Sequence, residues 1–362
     1  MKIAYNSSIF FLQKYGGISR YFCSIIKEFI EDRKSLRIFS PIFKNNYLLD
    51  IPNNYKKGFY IPRYPTPKLL KNIVDKISFK QIQNSNFDII HDTYYSENLL
   101  NYRNKKKIIT VYDLIHEKFP DLYKNKNFEK KKKIINCSDK IICISENTKN
   151  DLIKHYNIDE KKINVIHLGY NHIQNNLNSI RQENLILPKD FIFFVGSRLK
   201  YKNFDLLINS FHSSKKLKKD FNIVCFGGGP FTEKEKKLFN ELNILDKLFH
   251  FEGGDDLLSY LYTKSKLFVF PSQYEGFGIP LLEAMSIGCP VLASNTSIFK
   301  EICKDGVHYF NNNDAHDLCE KLEQLLYSET NLLLKIDLAL NISKIYNWKK
   351  CANETYKVYG KI

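Results

Sequence analysis

The chain has 362 residues, 43% of them hydrophobic and 14% aromatic, and it carries 55 Lys and Arg against 39 Asp and Glu, a net charge of +16. That length exceeds what one hydrophobic core usually organises, and the apolar content excludes intrinsic disorder, so two domains of ordinary size are expected. No run approaches eighteen uninterrupted apolar residues, which predicts no membrane-spanning helix, and the eight scattered cysteines show no Cys-x-x-Cys spacing, which argues for reduced thiols rather than a zinc site or a disulfide framework.

In chain order, Met1-Lys-Ile-Ala-Tyr5 reads as a first strand, without the charged and then apolar regions of a secretion signal. Gly16-Gly17 follows, with Arg20 one turn on. The glycine pair is either a plain strand-to-helix turn or a place where amides approach an anion. Strand-like runs then alternate with amphipathic helical stretches. In the first half the strands are Lys2 to Tyr5, Leu36 to Ser40, Phe87 to His91, Lys107 to Tyr112, Lys140 to Ser145 and Asn164 to Leu168. In the second half they are Phe191 to Gly196, Asn222 to Gly227, Leu248 to Phe251, Leu267 to Pro271, Val291 to Ser294 and His308 to Phe310. This alternation predicts an α/β chain with two Rossmann-like parallel sheets. The polar, Asn- and Gln-rich stretch Asn171 to Asn184 is the expected linker. The expected domains are therefore 1–172 and 185–343, followed by a helical tail, 344–362, with Trp348, Ala352, Tyr356 and Tyr359 on one stripe.

Three basic runs account for much of the charge. Lys56, Lys57, Arg63, Lys68, Lys71, Lys76 and Lys80 interleave with Tyr60, Leu69, Leu70, Ile73, Val74 and Ile77 at helical spacing; the others are Lys105 to Lys107, and Lys124, Lys126 and Lys130 to Lys133. The pattern suits adsorption on an anionic membrane surface or, equally, a solvated charged face. No helix-turn-helix, zinc-finger or aromatic RNA-binding signature accompanies it, so nucleic acid is not the expected partner.

The chemistry concentrates at predicted strand ends. Arg198 and Lys202 follow the strand ending at Gly196, where arginine offers a two-pronged grip on phosphate and lysine a point charge; ordinary surface charge is the plain alternative. Farther on, the apolar run Lys266 to Ser272 leads into Glu275-Gly-Phe-Gly-Ile-Pro-Leu-Leu-Glu283. Gly276 and Gly278 permit a sharp turn, Pro280 suits the first turn of a helix, and outward-pointing amides there form an anion site. A carboxylate on each side of that turn, Glu275 and Glu283, adds acceptors for vicinal hydroxyls, so a nucleotide-linked sugar fits better than phosphate alone. Thr110-Val-Tyr-Asp113, with His116 beyond, ends a strand of the first half, as do His91-Asp92 and Ser145-Glu146. The sequence contains no Asp-x-Asp, the usual metal-holding pair for a diphosphate leaving group.

The Glu275-to-Glu283 run resembles the Glu-x7-Glu motif of the retaining GT-B glycosyltransferases of family 4. Val195-Gly-Ser-Arg198 with Lys202-Asn203, Phe226-Gly-Gly-Gly229, His250-Phe-Glu-Gly253, Leu257 to Tyr262, Gly288-Cys-Pro-Val291 and Gly16-Gly17 fall where that family has comparable segments, in the same order. The resemblance spans nearly the whole chain. It implies an interdomain cleft, a C-terminal helix that returns to the first domain, and metal-independent transfer of a hexose with retention of configuration. The co-substrate would be a GDP- or UDP-sugar, with no other cofactor, and GDP-mannose leads. Arg198 and Lys202 would meet the diphosphate. Glu283 would meet the ribose, and Glu275 would contact the donor sugar, as a catalytic group or as a positioning one. Gly16, Gly17, Tyr112 and Gly276, Phe277, Gly278 and Ile279 would line the donor. Many members carry His where this chain has Tyr112, so a His-dependent step is not expected; Asp113 and His116 are the alternatives for acceptor chemistry. The implied acceptor is a lipid-linked oligosaccharide in O-antigen, capsule or related lipopolysaccharide synthesis, which places the protein in the cytoplasm, peripherally at the inner membrane. Two rival readings stand beside this one. A nucleotide-sugar epimerase or hydrolase on the same fold would release or alter the sugar without an acceptor, and a basic nucleic-acid binder would leave Glu275 and Glu283 unexplained.

Overall fold

A computed structural model describes residues 1–64, 68–123, 128–170 and 186–362. The expected linker, Asn171 to Asn184, and Lys124 and Lys126 lie outside the described residues. The chain forms two compact units, Met1–Gly169 with Tyr346–Ile362, and Tyr170–Ile345.

The first unit is built on β1 (Ile3–Tyr5), β2 (Leu36–Phe43), β3 (Lys56–Tyr60), β4 (Ile89–Asp92), β5 (Lys106–Val111), β6 (Lys140–Cys143) and β7 (Ile163–Val165). They form one sheet in the order β3-β2-β1-β4-β5-β6-β7, with parallel pairing throughout; Ile3, for example, sits opposite Leu36 on one side and Ile89 on the other. The second unit repeats the plan with β8 (Phe191–Val195), β9 (Asn222–Phe226), β10 (Leu248–Phe251), β11 (Leu267–Phe270), β12 (Val291–Ser294) and β13 (His308–Phe310), in the order β10-β9-β8-β11-β12-β13. The central strands are covered on both faces and therefore read as unbroken apolar runs, as in the fully buried Phe191-Ile-Phe-Phe-Val195. In each sheet the order reverses beside the first strand, between β1 and β4 and between β8 and β11. Crevices open at such switch points, beyond the carboxyl ends of the strands.

All twelve strands expected from sequence are present, but β3 is an addition and a correction. Lys56-Lys57-Gly58-Phe59-Tyr60 is not part of a basic helix; it pairs with β2 at the sheet edge, where lysines guard against pairing with another chain. The helix begins only at Lys68 and runs to Gln83. Members of the other two basic runs also take part in the fold. Lys131 pairs with Glu117 at 2.9 Å, both mostly buried. Lys105 caps the carbonyls of Ser85 and Phe87, and Lys107 reaches Leu100 O.

Helix Trp348–Tyr359 packs on helix Gly17–Glu31 in the first unit. It starts four residues later than the tail pattern suggests, because the Asn347 side chain accepts from Lys350 N at 2.8 Å and sets the first turn. Its buried face is Trp348, Cys351, Ala352, Thr355, Val358 and Tyr359, with Tyr356 only half-buried. The Tyr359 hydroxyl lies 3.0 Å from the Tyr5 hydroxyl and 2.7 Å from His91 Nδ1, and His91 Nε2 lies 2.9 Å from Thr110 Oγ1. His91 and Asp92 are therefore interior groups that complete the packing of β4, rather than strand-end residues facing a site. All eight cysteines are unpaired. Among the described residues no helix is long and apolar enough to cross a membrane.

Candidate active site

In the second unit, three loops leave the carboxyl ends of neighbouring strands. From β8 the chain passes Gly196 and Arg198 into a short turn, Lys200–Lys202, then through the left-handed Asn203 into helix Phe204–Ser213. From β9 it passes through Gly227, Gly228 and Gly229, all at positive φ. A Cβ on Gly228 would lie 2.6 Å from Gly196 O and 2.9 Å from Ser197 Cα, so glycine is the residue that lets these two loops pack backbone on backbone. From β11 the chain runs through Glu275 to Gly278, whose φ of +106° caps helix Ile279–Ser286, with Pro280 in its first turn. Gln273 N donates to Tyr201 O at 2.8 Å and ties the β8 and β11 loops together.

Across that tie, Lys202 Nζ donates to Glu275 Oε1 at 2.5 Å. The two side chains are only 16% and 12% exposed, and Lys202 Nζ also lies 5.5 Å from the Phe270 ring centroid. An ion pair this enclosed does not follow from assigning the two residues to separate parts of a ligand. Glu283, from the helix, is 6% exposed, and the Tyr262 hydroxyl approaches its Oε2 at 3.5 Å and donates to Pro280 O at 3.2 Å. Phe277 and Tyr274 are buried beside these acids.

Arg198 stands differently. Its Nε donates to Glu235 Oε1 at 2.5 Å, its Nη2 to the carbonyls of Gly229 and Pro230 at 2.9 Å each, and its guanidinium lies 4.9 Å from the Phe231 ring centroid. The side chain is 5% exposed. Arg198 is thus clamped against the β9 loop, chiefly along its Nε–Nη2 edge, with Nη1 also 3.5 Å from Gly227 O in that loop. Sequence reasoning does not single out Glu235, although Thr232-x-x-Glu235 is a capping-box pattern, and the structure shows both halves of that box. Burial alone would raise the Glu235 carboxyl, but Arg198 and Thr232 hold it below the usual range. Beside Arg198 and Glu235 a cavity of about 710 Å³ opens between helices Phe204–Ser213 and Glu233–Glu241.

The remaining sequence-predicted residues belong to the first unit. Gly16 is extended (φ 167°) and caps helix Gly17–Glu31; a Cβ on Gly17 would meet nothing within 4 Å. Arg20 reaches the Tyr47 hydroxyl through Nε and Nη2 at 3.2 and 3.0 Å. Tyr112 is buried, its ring edge-on to Tyr21 at 5.7 Å, and burial raises its phenol well above the ordinary value. Its hydroxyl makes no hydrogen bond of good geometry among the described residues. Asp113 Oδ1 accepts from Ile115 N at 3.0 Å, and its carbonyl accepts from Lys131 Nζ at 3.2 Å. The His116 ring packs on Tyr123 at 4.4 Å. Ser145 caps helix Glu146–Tyr156. Among the described residues no group of three or more His, Cys, Asp or Glu side chains is arranged to hold a metal ion.

Two family profiles match the chain in succession: the one described as glycosyltransferase family 4 over residues 15–173, and the one described as glycosyl transferases group 1 over residues 176–339. The O-antigen chain mannosyltransferase RfbU of Salmonella typhimurium is 31% identical over 234 residues, which is 61% of this chain and 62% of that protein, under two thirds of its length. The O-antigen chain mannosyltransferase B of Escherichia coli is 35% identical over 105 residues, 29% of this chain and 28% of that one. Among solved structures, HepE of Anabaena in complex with UDP superposes with a TM-score of 0.75 at 15% identity, covering the whole of both chains. The two parallel sheets and this likeness give the chain the GT-B fold.

Proposed function

The chain belongs to the family 4, group 1 glycosyl transferases, and from that premise we propose that it moves a hexose from a nucleoside-diphosphate sugar to a lipid-linked saccharide. The observation that carries this reading is the enclosed Lys202–Glu275 pair at the β8/β11 switch point, beside the amides that open helix Ile279–Ser286. Breaking the donor's C1–O bond leaves negative charge on the diphosphate and positive charge on the ring. Lys202, the Arg198 guanidinium and the amides of Gly276 to Ile279 would supply fixed positive charge for the first, so no metal ion is assigned a role. Glu275 and Glu283 supply acceptors for the sugar and ribose hydroxyls. Retention of configuration is part of the proposal, with the leaving phosphate as the group that receives the acceptor's proton. The mannosyl donor and the O-antigen type of acceptor rest on what the two O-antigen relatives are named for. Work on a lipid-linked acceptor would keep the protein at the cytoplasmic face of a membrane.

Thermal-shift measurements with UDP, GDP, CDP and their sugars test donor binding. A ligand at a hundredfold its Kd adds about 2.7 kcal/mol to the stability of the state it binds, so a rise of several degrees is expected with GDP and GDP-mannose. Absence of any shift with every nucleotide overturns the reading. Rapid sugar release without acceptor assigns a hydrolase instead.

Gly17 gives a sharper check. It opens a fifteen-residue helix, its φ lies outside the left-handed region, and the space above it is empty. The fold therefore gains nothing from glycine there. Gly17→Ala is expected to leave the melting temperature unchanged or raise it slightly, while transfer falls at least roughly tenfold if its amide must approach the diphosphate. Unchanged turnover makes Gly17 a simple turn residue.

A further inference from the structure

The structure ties down several lysines of the basic runs. Lys131 is consumed in a buried ion pair, and Lys130 makes an exposed pair with Glu97. Lys105 and Lys107 are bound to main-chain carbonyls. Helix Lys68–Gln83 is different. Val74, Asp75, Ser78 and Ile82 form its buried face, and the sole acid on the helix, Asp75, is buried and held by Lys71. The outward face carries two adjacent rows at i, i+4 spacing. One row is Leu69, Ile73 and Ile77, exposed by 73%, 46% and 42%. The other is Lys68, Asn72, Lys76 and Lys80, all exposed. Lys68, Lys76 and Lys80 make no hydrogen bond or ion pair among the described residues.

A solvated face has no use for three large aliphatic side chains in line, and no acid on the outward face of the helix balances the three lysines beside them. We propose that this face of helix Lys68–Gln83 is the surface by which the protein lies on an anionic lipid leaflet. The aliphatic row would enter the headgroup boundary, and the lysines, whose long stems let the ammonium groups stay at headgroup depth, would meet lipid phosphates. The occupant follows from charge complementarity: the outward face of the helix carries three lysines and one asparagine beside three aliphatic side chains, and an anionic bilayer presents the opposite charge over an apolar interior. The proposal deepens the membrane-side reading of the function, and its readout is vesicle binding, which needs no sugar transfer; either can fail alone.

The test is cosedimentation of the full chain with vesicles of phosphatidylcholine alone and of phosphatidylcholine with phosphatidylglycerol, at physiological and at high salt. Binding only to the anionic vesicles, weakened by salt, is expected. Combined Lys68→Gln, Lys76→Gln and Lys80→Gln is expected to reduce the partition coefficient roughly a hundredfold, at about 1 kcal/mol per lysine. Combined Leu69→Ser, Ile73→Ser and Ile77→Ser is expected to reduce it at least about tenfold. All six positions are exposed, so circular dichroism is expected to be unchanged, and the two variants check each other if one fails to fold. Wild-type protein that ignores anionic vesicles, or variants that bind as the wild type does, overturn the proposal. Salt-sensitive binding to random duplex DNA without vesicle binding overturns it in favour of a nucleic-acid surface.

Discussion

Glu275→Gln is expected to abolish most sugar transfer while preserving affinity for the bare nucleoside diphosphate, and Lys202→Ala is expected to lose both. Glu275 and Lys202 meet at 2.5 Å in an enclosed setting. The substituted amide keeps an oxygen for Lys202 but removes the negative charge, so the ammonium becomes more, not less, attractive to phosphate. Transfer is expected to fall roughly 10²- to 10³-fold, the scale seen when one preorganised electrostatic group is removed. Nucleoside-diphosphate affinity is expected to hold within about threefold. In Lys202→Ala the donor loses a charge-assisted contact worth about 1.5–3 kcal/mol, roughly ten- to hundredfold in Kd, and Glu275 is left enclosed without its cation. Calorimetry with the diphosphate and a transfer assay on the same preparations separate the two effects. Equal losses of binding and transfer in both variants would show that the pair only holds the loops together.

Tyr359→Phe is expected to destabilise the first unit by about 2–4 kcal/mol, because one missing oxygen leaves two buried groups, the Tyr5 hydroxyl and His91 Nδ1, without their partner. For a unit of this size that amounts to a drop of roughly 5–12 °C in melting temperature. The same chain of groups gives the unit a pH dependence. Burial lowers the His91 pKa from 6.5 to about 3, so the ring is neutral in the folded state. Its contribution to stability is complete above pH 6.5 and is lost as the pH falls toward 3. Asp92 works in the other direction. Burial raises it from 3.8 to about 7, so the penalty it imposes above pH 7 is relieved on acidification. Asp92→Asn removes that compensation, and the urea midpoint of the variant is expected to fall more steeply below pH 6.5 than that of the wild type.

The sheets were legible because covered parallel strands are written as short apolar runs, and Phe191 to Val195 is such a run on both faces. β3 was not legible, since an edge strand of lysines, glycine and aromatics shares its composition with a charged helix. At the candidate site, the strand–glycine–proline punctuation announced the turn before helix Ile279–Ser286. Sequence could not announce what the charges do to one another. Lys202 and Glu275 are 73 positions apart, and only the parallel placement of β8 beside β11 brings them together. Arg198 shows the same blindness from the other side: its position reads as an anion grip, while most of its donors serve Glu235 and two carbonyls. His91 and Asp92, which end a strand in sequence, are sealed inside.

If the site takes a nucleotide-sugar as proposed, the Lys202–Glu275 contact, which leaves little net charge at that point, would act as a selectivity filter. Any anion that draws Lys202 away strands a carboxylate in an enclosed place, a penalty of about 1–3 kcal/mol or more. Inorganic phosphate or sulfate offers the lysine an oxygen and gives the carboxylate nothing in return. A diphosphate that arrives with a sugar attached brings hydroxyl donors to satisfy the abandoned Glu275 in the same event. On that reading the site would open only to a ligand carrying both halves, and common cellular anions are expected to be poor competitors for it.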